Sequence, residues 1–194
     1  MADLTTLRRS PLEHLAERMA AASRPDTVSL AEMPYTATIG LRVDPAATAG
    51  GRVADVLGTP LPTSCGDVAG TGPHRALWLG PDEWLVTTDT DPVALTDQLT
   101  AAIGEDPGLA LDLSANRTVL ELSGPNAREV LEKGCPADLH PRTFGPGNAV
   151  STTLSRVPVL LWQTGEDEYR LLPRASFADY VARWLLDALV EFTG

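Results

Sequence analysis

The chain has 194 residues, 43% hydrophobic and 21% charged, which are ordinary values for a folded protein and enough for one substantial domain or two small halves sharing a core. A formal net charge of -11 and a sequence pI near 4.6 oppose docking on phosphate backbones or anionic lipid, which excludes nucleic acid and membrane surfaces as natural partners. The opening residues lack the apolar run and cleavage site of a secretory signal, and no stretch approaches the length that spans a bilayer. A cytoplasmic location is therefore expected, with Cys65 and Cys135 as reduced thiols and one long-range disulfide as the competing reading.

In chain order, Ser10-Pro11-Leu12-Glu13 reads as a capping box with proline at the first helical position, opening a short helix to about Ala22. Strand-like runs follow at 28–33 and 36–43. In the second of these, small or polar residues interleave with Ile39, Leu41 and Val43, the period-two signature of a half-buried strand. Asp44-Pro45 starts a second helix that Gly58 ends, and 58–73, rich in Gly and Pro, reads as a long surface loop. Strands are predicted at 75–80 and 84–88, then a helix from Asp91-Pro92 to Gly104, then strands at 109–114 and 117–123. Gly124-Pro125 starts a helix stopped by Gly134, strands follow at 149–155, 157–163 and 168–172, and Ser176 to Asp179 opens the last helix. There Tyr180, Val181, Trp184 and Leu185 are expected to share one buried face.

The element order of 28–104 repeats over 109–191. Leu41 to Pro45 matches Leu122 to Pro125, and Gly80 to Trp84 matches Gly165 to Tyr169. This predicts an α+β fold in one compact domain: an N-terminal arm and short helix over 1–27, a first βα module over 28–104 and a second over 105–194.

Chemistry-bearing motifs are sparse. No G-x-G-x-x-G follows a strand, and there is no Walker A loop, no H-E-x-x-H pair and no G-x-S-x-G elbow. His14, His74 and His140 are scattered and read as surface or satisfied core residues; Asp82-Glu83 and Asp167-Glu168 fall in turns, where carboxylates are solvated and not tuned for acid-base work. Trp78, Trp84, Trp162 and Trp184 read as packing residues before ligand platforms.

The run from Ser114 to Gly147, together with Ser10-Pro11-Leu12, Leu77 to Leu85 and the terminal Ser176-Phe177, Tyr180 and Trp184-Leu185, resembles the gamma subunit family of heterotetrameric sarcosine oxidase. The resemblance implies the folate-binding fold of the glycine-cleavage T protein, built as duplicated β2-α-β3-α modules. It further implies a complex that demethylates sarcosine oxidatively to glycine, with FAD, FMN, NAD and tetrahydrofolate held by larger alpha and beta subunits and zinc by a small delta subunit. The gamma-like chain is then an accessory subunit with no catalytic, cofactor or metal residue of its own. Candidate contacts to its partners are Arg8, Arg9, Asn116, Arg117, His140, Pro141 and Arg142, which combine guanidinium forks with rigid turns. The alternative is a free-standing folate-binding aminomethyltransferase-like enzyme or regulator, with Trp84, Asp112, Asn116 or Arg117 around a pterin.

Overall fold

In the computed structural model, which describes residues 8–193, ten strands form two five-stranded sheets. The strands are β1 (Ser29–Met33), β2 (Ala37–Val43), β3 (Val68–Ala69), β4 (His74–Gly80), β5 (Glu83–Thr88), β6 (Gly108–Asp112), β7 (Val119–Ser123), β8 (Ala149–Leu154), β9 (Val157–Gly165) and β10 (Glu168–Pro173). The helices are α1 (Ala16–Ala22), α2 (Thr48–Leu57), α3 (Pro92–Ile103), α4 (Ala127–Glu132) and α5 (Ala178–Thr193). No helix among the described residues is long and apolar enough to cross a membrane.

One sheet has the order β3-β4-β5-β2-β6 and the other β1-β7-β10-β9-β8, with antiparallel pairing throughout. The two agree residue by residue. Leu41 faces Trp84 in the first and Leu122 faces Tyr169 in the second; Gly80 faces Glu83, and Gly165 faces Glu168, with a register irregularity beside each. The sheets are not contiguous along the chain, however. Strand β1, read with the first half, pairs with β7, and β6, read with the second, pairs with β2.

Alternation along the strands decides what each sheet face meets. Ile39, Leu41, Trp84 and Val86 point one way and pack with Val53, Leu57, Leu95 and Leu99 of α2 and α3. Leu30, Leu122, Tyr169 and Leu171 of the second sheet pack likewise with Met19, Val130, Val181 and Leu185 of α1, α4 and α5. The opposite faces meet each other through Leu77 and Leu85 on one side and Leu160, Trp162 and Leu172 on the other. The result is four layers, helix on sheet on sheet on helix, in which each fully buried Leu or Val contributes about 1.5–3 kcal/mol of transfer free energy.

The helix starts differ from the sequence expectation in instructive ways. Ser10 does not cap a helix; its hydroxyl donates to Glu32 Oε2 at 2.6 Å, and the chain enters α1 through a short 3-10 turn, Glu13–Leu15. Asp44 caps a turn, accepting from Ala46 N at 2.9 Å, so α2 begins at Thr48, and α4 likewise begins after Asn126. Only Asp91 caps as expected, accepting from Val93 N at 3.0 Å with Pro92 opening α3. The 58–73 loop holds strand β3 and the buried Leu61, because Pro62 O accepts the Trp84 Nε1–H at 2.8 Å and draws the segment onto the core. Gly58 ends α2 in the left-handed region, φ 68°, whereas Gly134 does not adopt that conformation and is required by close approach to Trp184. Tyr180 is exposed, its hydroxyl 3.0 Å from Ser155 Oγ, and is no part of the buried face of α5.

Candidate functional site

The residues expected at subunit contacts come from three stretches of the chain. Arg8 lies with its guanidinium 4.9 Å from the Tyr35 ring centre, and the Tyr35 hydroxyl donates to Arg8 O at 2.9 Å. Tyr35 itself has φ 61°, a left-handed conformation uncommon for a bulky side chain, and its ring is half exposed. Arg9 is exposed and reaches Glu13 Oε1 at 3.6 Å. The N-terminal segment is tied down further along by His14, whose Nε2 is 2.7 Å from Asp179 Oδ1 at the start of α5.

Asn116 is exposed, but its backbone is fixed: its N–H donates to Leu113 O and its carbonyl accepts from Ala175 N. Arg117 is half-buried and is spent inside the chain, its Nη1 donating to Leu172 O at 2.7 Å. Burial, and after it neighbouring Arg174, holds the Arg117 pKa below its usual value. His140, Pro141 and Arg142 form an exposed turn held by two local bonds, His140 N to Asp138 Oδ1 at 3.0 Å and Arg142 N to His140 Nδ1 at 3.2 Å. The second bond makes Nδ1 an acceptor, which puts the ring proton on Nε2 in the neutral imidazole. Phe144, buried, anchors the turn to the core.

The residues considered for a pterin do not converge. Trp84 is fully buried beneath α2 and α3 with its Nε1–H satisfied, so it offers no face to a ligand. Asp112 is exposed at the edge of its sheet, accepting from Ser114 N and Oγ. Cys65 and Cys135 are both free thiols. Among the described residues no group of three or more His, Cys, Asp or Glu is placed to hold a metal ion.

What the sequence reading missed is a polar cleft where the two sheets part. It has two adjoining compartments of about 510 and 260 Å³ that share Thr87, Asp89 and Arg170 as walls. Arg8, Tyr35 and Ser114 close the larger one, and Arg75 and Trp162 the smaller. The Arg170 guanidinium lies over the Trp162 ring, 5.2 Å from its centre, with Nε 3.6 Å from Glu121 Oε2. Arg75 Nη1 donates to His74 O at 3.0 Å and to Gly72 O. On the same strand, His74 Nδ1 is 2.8 Å from Thr88 Oγ1, and burial pushes its imidazole below the usual pKa against the pull of Asp89. The available signal was Arg75 and Arg170 themselves, each a charge inside a strand otherwise built for the interior.

Comparison with known proteins places this architecture. The family model described as "Sarcosine oxidase, gamma subunit family" matches residues 40–191. The chain is 50% identical over 196 residues to the sarcosine oxidase subunit gamma of Corynebacterium sp. (strain U-96), covering 100% of this chain and 95% of that one. A chain in the solved structure of the heterotetrameric sarcosine oxidase from Corynebacterium sp. U-96, in complex with pyrrole 2-carboxylate, superposes with a TM-score of 0.92 at 50% identity over 97% of both chains. The glycine cleavage system aminomethyltransferase T from Bartonella henselae has the same fold, with a TM-score of 0.67 at 16% identity over 93% of this chain and 57% of that one. Likeness of this extent, from sequence through to the order of strands, makes the chain a member of the sarcosine oxidase gamma subunit family.

Proposed function

We propose that the chain is a non-catalytic accessory subunit of a cytoplasmic heterotetrameric sarcosine oxidase. The observation that carries this reading is the full-length superposition on a chain of such a heterotetramer, with a TM-score of 0.92 over 97% of both chains. The oxidation of sarcosine to glycine, with hydrogen peroxide and formaldehyde or 5,10-methylenetetrahydrofolate as the other products, is assigned to the larger alpha and beta subunits. FAD, FMN, NAD and tetrahydrofolate belong with them, and zinc with a small delta subunit. The absence of nucleotide motifs from the sequence supports leaving the redox groups to the partners.

The docking surface is proposed at the exposed groups Arg8, Arg9, Asn116, His140, Pro141 and Arg142, with Arg117 bracing the Asn116 turn from within. The like registers of the two sheets support the view of one compact domain made of two related modules. The test is co-expression with the partner subunits. The chain should co-purify with flavoprotein subunits and should show neither a flavin spectrum nor sarcosine-dependent peroxide when purified alone. Turnover by the lone chain, or failure to co-purify, would falsify the reading.

A further inference from the structure

The equal registers of the two sheets pick out one position where they differ sharply. In the first sheet Leu85 sits between Gly40 and Leu77 on the inner face and is 1% exposed. The corresponding place in the second sheet, between Glu121 and Trp162, is held by Arg170. A leucine satisfies the packing there, so the fold does not require a guanidinium, and burying one is costly unless its donors are met.

Those donors are only partly met inside the chain. Arg170 Nε is closed to solvent and makes no hydrogen bond, while the side chain as a whole is 28% exposed. The exposed part of the residue forms wall in both compartments of the cleft. Trp162, 6% exposed, lies against the guanidinium. On the facing sheet Arg75 is held in place through Nη1 by two backbone carbonyls, and Arg8 adds a third guanidinium at the far compartment. Against these three the cleft wall carries one carboxylate, Asp89, with Glu121 behind Arg170. A positive recess in a chain of net charge -11 concentrates small anions where the rest of the surface repels them.

We propose that this cleft binds a small organic acid, its carboxylate taken by the fork of Arg170 opposite Arg75 and its carbon skeleton extending into the larger compartment beside Pro34 and Tyr35. Two adjoining compartments of about 510 and 260 Å³ suit a ligand of metabolite size. The planar guanidinium matches a carboxylate in two parallel hydrogen bonds, and Thr87, whose side chain lines both compartments, supplies a hydroxyl beside it. The proposal does not depend on the accessory-subunit reading.

Calorimetric titration of the full chain with succinate, and with its uncharged analogue succinamide, at constant ionic strength tests it. Saturable binding of succinate and none of succinamide is expected, weakened about ten-fold or more in Arg170→Gln and in Arg75→Gln. Arg42→Gln, whose guanidinium is already taken by Glu83 at 2.8 Å, should bind like the parent. Circular dichroism establishes that each variant is folded, and Arg75→Gln carries the test if Arg170→Gln is not. Absent binding of succinate, equal binding of succinamide, or undiminished affinity in a folded cleft variant overturns the proposal.

Discussion

Gly134 and Trp184 touch so closely that a methyl group on the glycine would stand 2.4 Å from Trp184 Cζ2. The contact joins the chain just beyond α4 to the middle of α5, where Val181 and Leu185 are fully buried against the second sheet. Lys133, the preceding residue, reinforces the same junction by donating to Ala188 O at 2.8 Å and pairing with Glu191.

Gly134→Ala is accordingly expected to destabilise the chain by about 1–3 kcal/mol, the usual penalty for forcing volume into a packed contact. The urea midpoint measures it. Combining the change with Trp184→Leu should recover part of the loss, a coupling that residues out of contact would not show.

Trp84→Phe removes the donor to Pro62 O while keeping an aromatic ring in the core. A loss of about 1–3 kcal/mol is expected from the unsatisfied carbonyl. Because the indole is fully buried, assembly with partner subunits should be unchanged for the folded fraction. Native gels of the co-expressed complex check this.

Arg117→Ala and Arg142→Ala should separate two effects. The first strips Leu172 O of a charged donor and is expected to cost about 1.5–3 kcal/mol of chain stability. The second leaves stability unchanged within about 0.5 kcal/mol, since its side chain is exposed. If the His140 turn docks on a partner with Arg142 at the centre, that variant should weaken assembly by about 2 kcal/mol or more in analytical ultracentrifugation. Assembly unchanged in Arg142→Ala would remove the turn from the proposed docking surface.

His74 gives the stability a pH dependence. Burial holds its folded pKa below the unfolded value of about 6.5, so the unfolded chain takes up the proton more readily. Stability should fall as the pH drops from about 6.5 through the lower folded pKa, and well above pH 6.5 this group adds no pH dependence. His74→Gln should abolish that portion. Urea midpoints of the two proteins should therefore run parallel between pH 7 and 8 and converge or cross in acid; parallel curves throughout would exclude the effect.

Periodicity made most of the scaffold legible: nine of the strands lie within a residue or two of their expected places. Residues 68–69 were missed because strand β3 is too short to show alternation and is held by partners distant in sequence, Leu77 and Ala76. Helix starts were misread where a polar side chain found another partner, across the fold for Ser10 with Glu32 and two residues on for Asp44 with Ala46. The repeat of element order was visible, but the exchange of β1 and β6 between sheets was not, since strand pairing is a long-range property. The cleft escaped for the same reason. Arg75 and Arg170 come from different sheets, and no local pattern announces that their side chains wall one space.

The crossing of β1 into the second sheet also bears on how the chain is made. On the ribosome, α1 and β1 emerge before any strand of the first sheet, yet the register partners of β1, Val119 to Ser123, follow the synthesis of every one of those strands. The first sheet can close as it is made, while Val28, Leu30 and Met19 wait with their apolar faces uncovered. Strand β1 is thus seated only once β7 exists, and a nascent chain halted after β6 carries an unpaired strand that invites association with its neighbours.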